Sequence, residues 1–187
     1  MANTMANTMA NVWTMVDGSQ VTRISCAETA KLVRVALKKA FPAVAFTVTS
    51  KTYSGGASIT VGWTDGPTAA AVEVITSAFS GATFDGMIDL KEYKAPTTIN
   101  GQRVSFGADY IHTSRNLSAA FLTTCAERMG HLYGTPVPEV RESVWTHKGK
   151  TTRHAWIERN SSMRLNDFDC VTVADKALQL AYTTSAD

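Results

Sequence analysis

The chain has 187 residues, 44% of them hydrophobic, and a net charge of +2, which suits one packed domain with an appendage and excludes a disordered polypeptide. No apolar run reaches the roughly 18 residues that span a bilayer, and the first residues lack the basic start and apolar stretch of a secretory leader. Cys26, Cys125 and Cys170 are far apart and odd in number, so neither a disulfide framework nor a paired-cysteine metal site fits them, and a reducing cytoplasm is the expected setting.

The opening MANTMANTMAN is nearly three copies of a four-residue unit with no apolar period. Residues 1–22 are therefore expected to be a flexible tail and lead-in. The run SCAETAKLVRVALKKAF reads as a helix. Ser25 and Glu28 have the spacing of a capping box, and Ala30, Val33, Leu37 and Phe41 recur at helical steps. Lys31, Arg34 and Lys38 share another face, with Lys39 beside it, and Pro42 ends the helix. VAFTVTS and ASITVGW then alternate apolar and polar residues as strands do, with Tyr53-Ser54-Gly55-Gly56 between them as a hairpin turn that needs positive φ at one position at least. TDGPT reads as a helix entry with Pro67 at the first helical position. The helix that follows should turn Val72, Ile75 and Phe79 inward.

FDGMIDLKEY is expected to be a third strand and QRVSFGADYIHTS a fourth, broken or bulged at Gly107. NLSAAFLTTCAERMGHLYG gives a helix with Phe121, Leu122, Cys125, Met129 and Leu132 on its apolar side and Gly134 as its stop. TPVPEV is an extended linker. SVWTHKGKTTRHAWIE reads as a basic hairpin turning at Lys148-Gly149-Lys150, and a last helix covers about 171–182. The order implies an α+β fold, with helices packed mainly on one face of an antiparallel sheet, followed by a C-terminal hairpin and helix.

Three runs carry a resemblance: LKKAFPAVAFTVTSKTYSGGASITVGWTDGPT, FDGMIDLKEY and FGADYIHTSRNLS. In this order, over about residues 25–118, the chain resembles the large polyvalent protein-associated domains of phages and conjugative plasmids. The resemblance implies an accessory protein of a mobile element, often one that overcomes host defence, and it brings no catalytic residue with it. The expected division is a tail over 1–22, a family-like α+β domain over 23–134 and a basic hairpin and helix over 135–187.

The glycines at 55 and 56 precede a strand rather than a helix, and no Gly-Lys-Ser/Thr follows, so this stretch is a hairpin before it is a phosphate loop. Asp65 reads as a turn and helix-entry residue. Asp85 and Asp89 are the best metal candidates, since residues four apart on one strand share a face. They lack a third ligand, so neither a metal nor a cofactor is expected. His112, His131, His147 and His154 have no metal-ligand spacing, although His112 beside Arg115 could line a cleft. Ser114 and Ser118 lack a nucleophile context, and Cys125 and Cys170 read as core. No nucleophile, base and orienting group assemble from these residues, so action by binding rather than catalysis is expected.

Charge is uneven. Residues 23–51 carry a net +5, residues 52–100 a net −3, and residues 141–164 a net +4. The expected partner-binding residues are Lys148, Lys150, Arg153, Trp145 and Trp156 on the hairpin, with Lys31, Arg34 and Lys38 on the first helix. Cations attract phosphate or acidic protein, and tryptophans stack on bases or fill protein pockets. The plainer alternative is a solvated tip with both tryptophans in the core. The favoured function is anti-defence: an anti-CRISPR-like protein that blocks a host immune complex by stoichiometric binding in the host cytoplasm, with no membrane involved. A DNA- or RNA-binding accessory factor of element transfer and a metal-dependent nuclease using Asp85 and Asp89 are the alternatives.

Overall fold

A computed structural model describes residues 12–87, 90–158 and 173–186. The MANT repeat, Asp89, Arg159, Arg164 and Cys170 lie outside them. The chain forms two compact units. The first is drawn from Met1–Pro42, Phe46–Val61 and Glu73–Thr113, and the second from Ala43–Ala45, Gly62–Val72 and Ser114–Asp187.

The first unit opens with β1 (Val12–Thr14) and β2 (Gln20–Ile24), paired antiparallel. These residues were expected to be tail and lead-in. Their polar sequence hides the strand because only Val21 of β2 is fully buried. The helix α1 (Cys26–Ala40) has the expected capping box: Ser25 accepts from the Glu28 amide, and the Glu28 carboxylate accepts from the Ser25 amide at 2.8 Å. Ala30, Val33 and Leu37 are buried, and α1 packs on β3 (Thr47–Tyr53). That strand begins three residues later than the alternation from Val44 suggests.

The turn into β4 (Gly56–Thr64) has Gly55 at φ 87°. Gly56 has no positive φ but needs to be glycine for another reason, since a Cβ there would stand 2.7 Å from the Asp109 carboxylate and 3.0 Å from the Tyr53 ring. Ala57, Ile59, Val61 and Trp63 alternate into the interior as expected. After β4 comes α2 (Ala69–Thr76), in which Val72 is fully buried. Pro67 precedes this helix rather than starting it. Thr68 caps it, its hydroxyl accepting from the Ala71 amide and its carbonyl from the Val72 amide. A 3-10 turn (Ser77–Phe79) follows.

FDGMIDLKEY is not one strand. It forms β5 (Ala82–Asp85) and β6 (Leu90–Tyr93), antiparallel, with Asp85 opposite Leu90. β7 (Thr97–Ile99), β8 (Gln102–Phe106) and β9 (Tyr110–Asn116) complete the set before the second helical region. The break at Gly107 separates two sheets rather than bulging one strand. Gly107 is bare because a Cβ would run into the Ile24 carbonyl.

The second unit contains α3 (Ala119–Tyr133), β10 (Val140–His147), β11 (Lys150–Ile157) and α4 (Val173–Thr183). Ser118 caps α3 and Gly134 ends it in the left-handed conformation. Leu122, Cys125, Ala126 and Met129 pack with Ile157, Val173, Ala174, Ala177 and Ala181. Leu132, expected on this face, is exposed because its helical angle turns it away.

The α+β class holds. Among the described residues the strands fall into four sheets with orders β1-β2-β8-β7, β3-β4-β9, β5-β6 and β10-β11, rather than one antiparallel sheet. The β2–β8 pair is parallel, a long-range pairing that local alternation cannot reveal.

Candidate functional site

The hairpin β10–β11 turns at Lys148 (φ 48°) and Gly149 (φ 75°). Two successive positive φ values make the tight turn whose twist matches that of paired strands. Its register places Val140 opposite Ile157, Glu142 opposite Ala155 and Val144 opposite Arg153 on one face. Val140, Ala155 and Ile157 from this face join the core of the second unit.

The other face pairs Arg141 with Trp156, Ser143 with His154, Trp145 with Thr152 and His147 with Lys150. Both tryptophans thus sit away from the core, contrary to the plainer alternative. Trp145 is 72% exposed and Trp156 37%. The His154 and Trp156 rings lie 6.0 Å apart, centroid to centroid. The alternation of Trp145 with Val144, and of Trp156 with Ile157, decides this: one member of each pair must face out, and the aliphatic one of the Trp156–Ile157 pair fills the core.

The charges are less free than a count suggests. Arg141 is held by Glu139 at 3.2 Å and Glu158 at 3.0 Å, and the Glu139 hydrogen bond followed by the two negative charges raises its pKa. Arg153 lies on the inner face and meets Glu142 at 3.4 Å. Lys148 occupies the turn, and Lys150 pairs with His147 at the start of β11. The expected hairpin residues are therefore brought together on one element but divided between its faces.

The Lys31, Arg34 and Lys38 group belongs to the first unit. Two of its cations are engaged locally: Arg34 donates to the Val48 carbonyl and Lys38 to the Pro42 carbonyl at 2.6 Å. Both bonds tie α1 to the segment that follows it, so this face is partly structural.

The remaining candidates resolve differently. Asp85 ends β5, Asp89 lies outside the described residues, and among the described residues no trio of metal-ligating side chains occurs. Asp65, in the left-handed conformation at φ 54°, accepts from the Ser118 amide at 2.8 Å, a turn and helix-entry role that serves α3. Ser118 is a cap and His131 an exposed residue near the end of α3.

Two residues the sequence left unassigned prove central. Arg115 donates to the carbonyls of Asp65, Gly66, Ala181 and Thr184 at 2.8–3.0 Å and lies over the Phe121 ring. It thereby satisfies carbonyls at the end of α4 that the helix leaves open. Burial pushes its pKa down. Asp109, 3% exposed, accepts from the Ala57 amide and from Lys91, both at 2.9 Å. Only the Gly107 break hints at it in the sequence.

The family described as large polyvalent protein associated domain 29 matches residues 24–118, just over half of the chain. The match ends before the β10–β11 hairpin. Among curated proteins and among solved structures nothing matches.

Proposed function

We propose that this chain, which belongs to the large polyvalent protein associated domain 29 family, is an anti-defence protein that blocks a host immune complex by stoichiometric binding. Membership supports an association with phages and other mobile elements. No helix of the described residues is long and apolar enough to cross a membrane.

The observation that carries the reading is the outer face of the β10–β11 hairpin, with Trp145 and Trp156 exposed beside Arg141 and two histidines. Large aromatics left in water forgo the stabilisation that burial would give, and Trp and Arg are the residues that dominate binding at protein interfaces. The carboxylates of Glu139, Glu142 and Glu158 offset two of the hairpin's cations. A phosphate-tracking surface needs free cations, whereas a protein interface tolerates such offset pairs. A protein surface with pockets for two indoles and an acidic rim facing Lys148 is the partner this face fits. Lys31, Arg34 and Lys38 form a secondary contact region in the proposal.

The second reading, a nucleic-acid-binding accessory factor, rests on the same exposed tryptophans, which can stack on unpaired bases. Co-purification with a defence complex after nuclease treatment separates the two. A protein partner gives a complex of fixed stoichiometry that survives nuclease and weakens gently with salt. Loss of the complex on nuclease treatment, or an affinity falling steeply with salt, would favour the second reading and overturn the first.

A further inference from the structure

The register of β10–β11 runs from the Val140–Ile157 pair at its base to the His147–Lys150 pair at its turn. Only the base of its inner face is covered: Val140, Ala155 and Ile157 pack in the core of the second unit. Further out the same face is open. Val144 is 53% exposed, and Arg153 opposite it, though held by Glu142 at 3.4 Å, is exposed as well. Thr146 and Thr151 continue that face and are exposed, as are Trp145, His147 and Thr152 on the other. From the Val144–Arg153 pair outward, then, the ribbon is bare on both sides. The four steps from Val144 to Lys148, at about 3.3 Å each, make it an arm about 13 Å long.

A two-stranded ribbon is marginally stable by itself in water, and this one carries an exposed valine on one face and an exposed tryptophan on the other. A flat partner would touch only one of the two. We propose that the arm inserts into a cleft of the partner protein that closes on both of its faces, with one apolar wall for Trp145, another for Val144, and acidic groups at the floor for the turn. The inference rests on the protein-partner reading above and adds to it a second contact face and a shape for the recess. Residues 143–157 hold Lys148, Lys150 and Arg153 and no Asp or Glu, so the arm is complementary to an acidic recess. Charge at an exposed turn steers the approach more than it holds the complex. A duplex major groove, about 12 Å wide, also admits a two-stranded ribbon. Its walls are phosphates and its floor is made of polar base edges, a poor match for apolar residues on both faces. The apolar core of a protein interface supplies both walls.

The test is a binding titration of the full chain and its variants against the purified, nuclease-treated immune complex of a host system from which the wild-type chain protects an incoming element. Val144→Asp and Thr146→Trp change only the inner face of the arm, and Thr146→Trp keeps a strand-favouring residue there. Each should weaken binding about tenfold or more at unchanged melting temperature, as Trp145→Ala does. Wild-type affinity in both folded inner-face variants, with Trp145→Ala weakened, means contact through the outer face alone; it overturns the insertion and leaves the protein-partner reading standing. Full affinity in Trp145→Ala as well, or no protection against any host system, overturns both. Saturable binding of the chain to a short mixed-sequence DNA duplex, lost in Val144→Asp and falling steeply with salt, would put the arm in a nucleic-acid groove and overturn the proposal.

Discussion

Asp109 shows how one residue can fix a local arrangement that no pattern advertises. Its carboxylate takes the Ala57 amide at the start of β4 and the Lys91 ammonium of β6, and its bulk is what forbids a side chain at Gly56. The ion pair raises the Lys91 pKa, chiefly through the hydrogen bond, so that lysine is a fixed cation and not a nucleophile. Replacing Asp109 by Ala should destabilise the fold by about 3 kcal/mol, near the low end for breaking a buried pair because Lys91 keeps some access to water. Chemical denaturation of the variant checks this, and a midpoint equal to wild type would show the pair to be dispensable. Gly56→Ala should also destabilise, by roughly 1–3 kcal/mol, because its Cβ overpacks the same carboxylate. Gly55→Ala acts differently, through a positive φ that costs about 1–2 kcal/mol in any L residue. The sequence announced the turn glycines; it could not announce Asp109, whose partners lie 18 and 52 positions away.

At the scale of elements, local signals were legible where they were self-contained. The capping box of α1, the Gly134 stop of α3, and the Lys148-Gly149 turn all depend on residues within a few positions of one another. The Glu28 pKa is lowered by hydrogen bonds from the Ser25 amide and hydroxyl. The sign follows: the cap's contribution is complete above the ordinary Glu value of 4.5 and is lost as pH falls through the lower folded value. Glu28→Gln should therefore flatten the acid limb of a stability–pH curve below about 4.5, while leaving the neutral plateau lower by about 0.5–1 kcal/mol. Elements whose identity depends on distant partners were not legible. FDGMIDLKEY alternates well enough for one strand, but the chain folds back on itself, and β2 lies between β1 and β8, the second of which is far along the chain. Arg115 makes the parallel point for α4, whose last carbonyls it holds from another part of the second unit. Arg115→Leu should free the end of α4, with a loss of about 2–3 kcal/mol and faster amide exchange in 177–184 than in α3. Equal protection in the two helices would contradict that assignment.

For the molecule as a whole, the family match and the candidate surface occupy different stretches of sequence: the match ends at residue 118 and the aromatic hairpin runs from Val140 to Ile157. The basic character of the hairpin was visible as composition, but its use was not. Strand register decides that the tryptophans face water while Val140 and Ile157 fill the core, and that Arg141 and Arg153 find carboxylates. The account therefore shifts weight from the three cations Lys148, Lys150 and Arg153 to the indoles. Aromatic truncation at an interface centre costs 2 kcal/mol or more of binding, on the order of 30-fold or above, whereas an exposed offset cation costs little. Neither substitution should disturb the core, since neither the tryptophans of the outer face nor Arg153 of the inner face pack in it. The most direct measurement is protection of an infecting phage or incoming plasmid in hosts carrying defined immune systems, comparing wild type with Trp145→Ala, Trp156→Ala at matched expression and melting temperature. The account predicts protection against at least one system by wild type, lost in the double variant and largely retained in Lys148→Ala, Lys150→Ala, Arg153→Ala. Protection by the double tryptophan variant equal to that by wild type would contradict it.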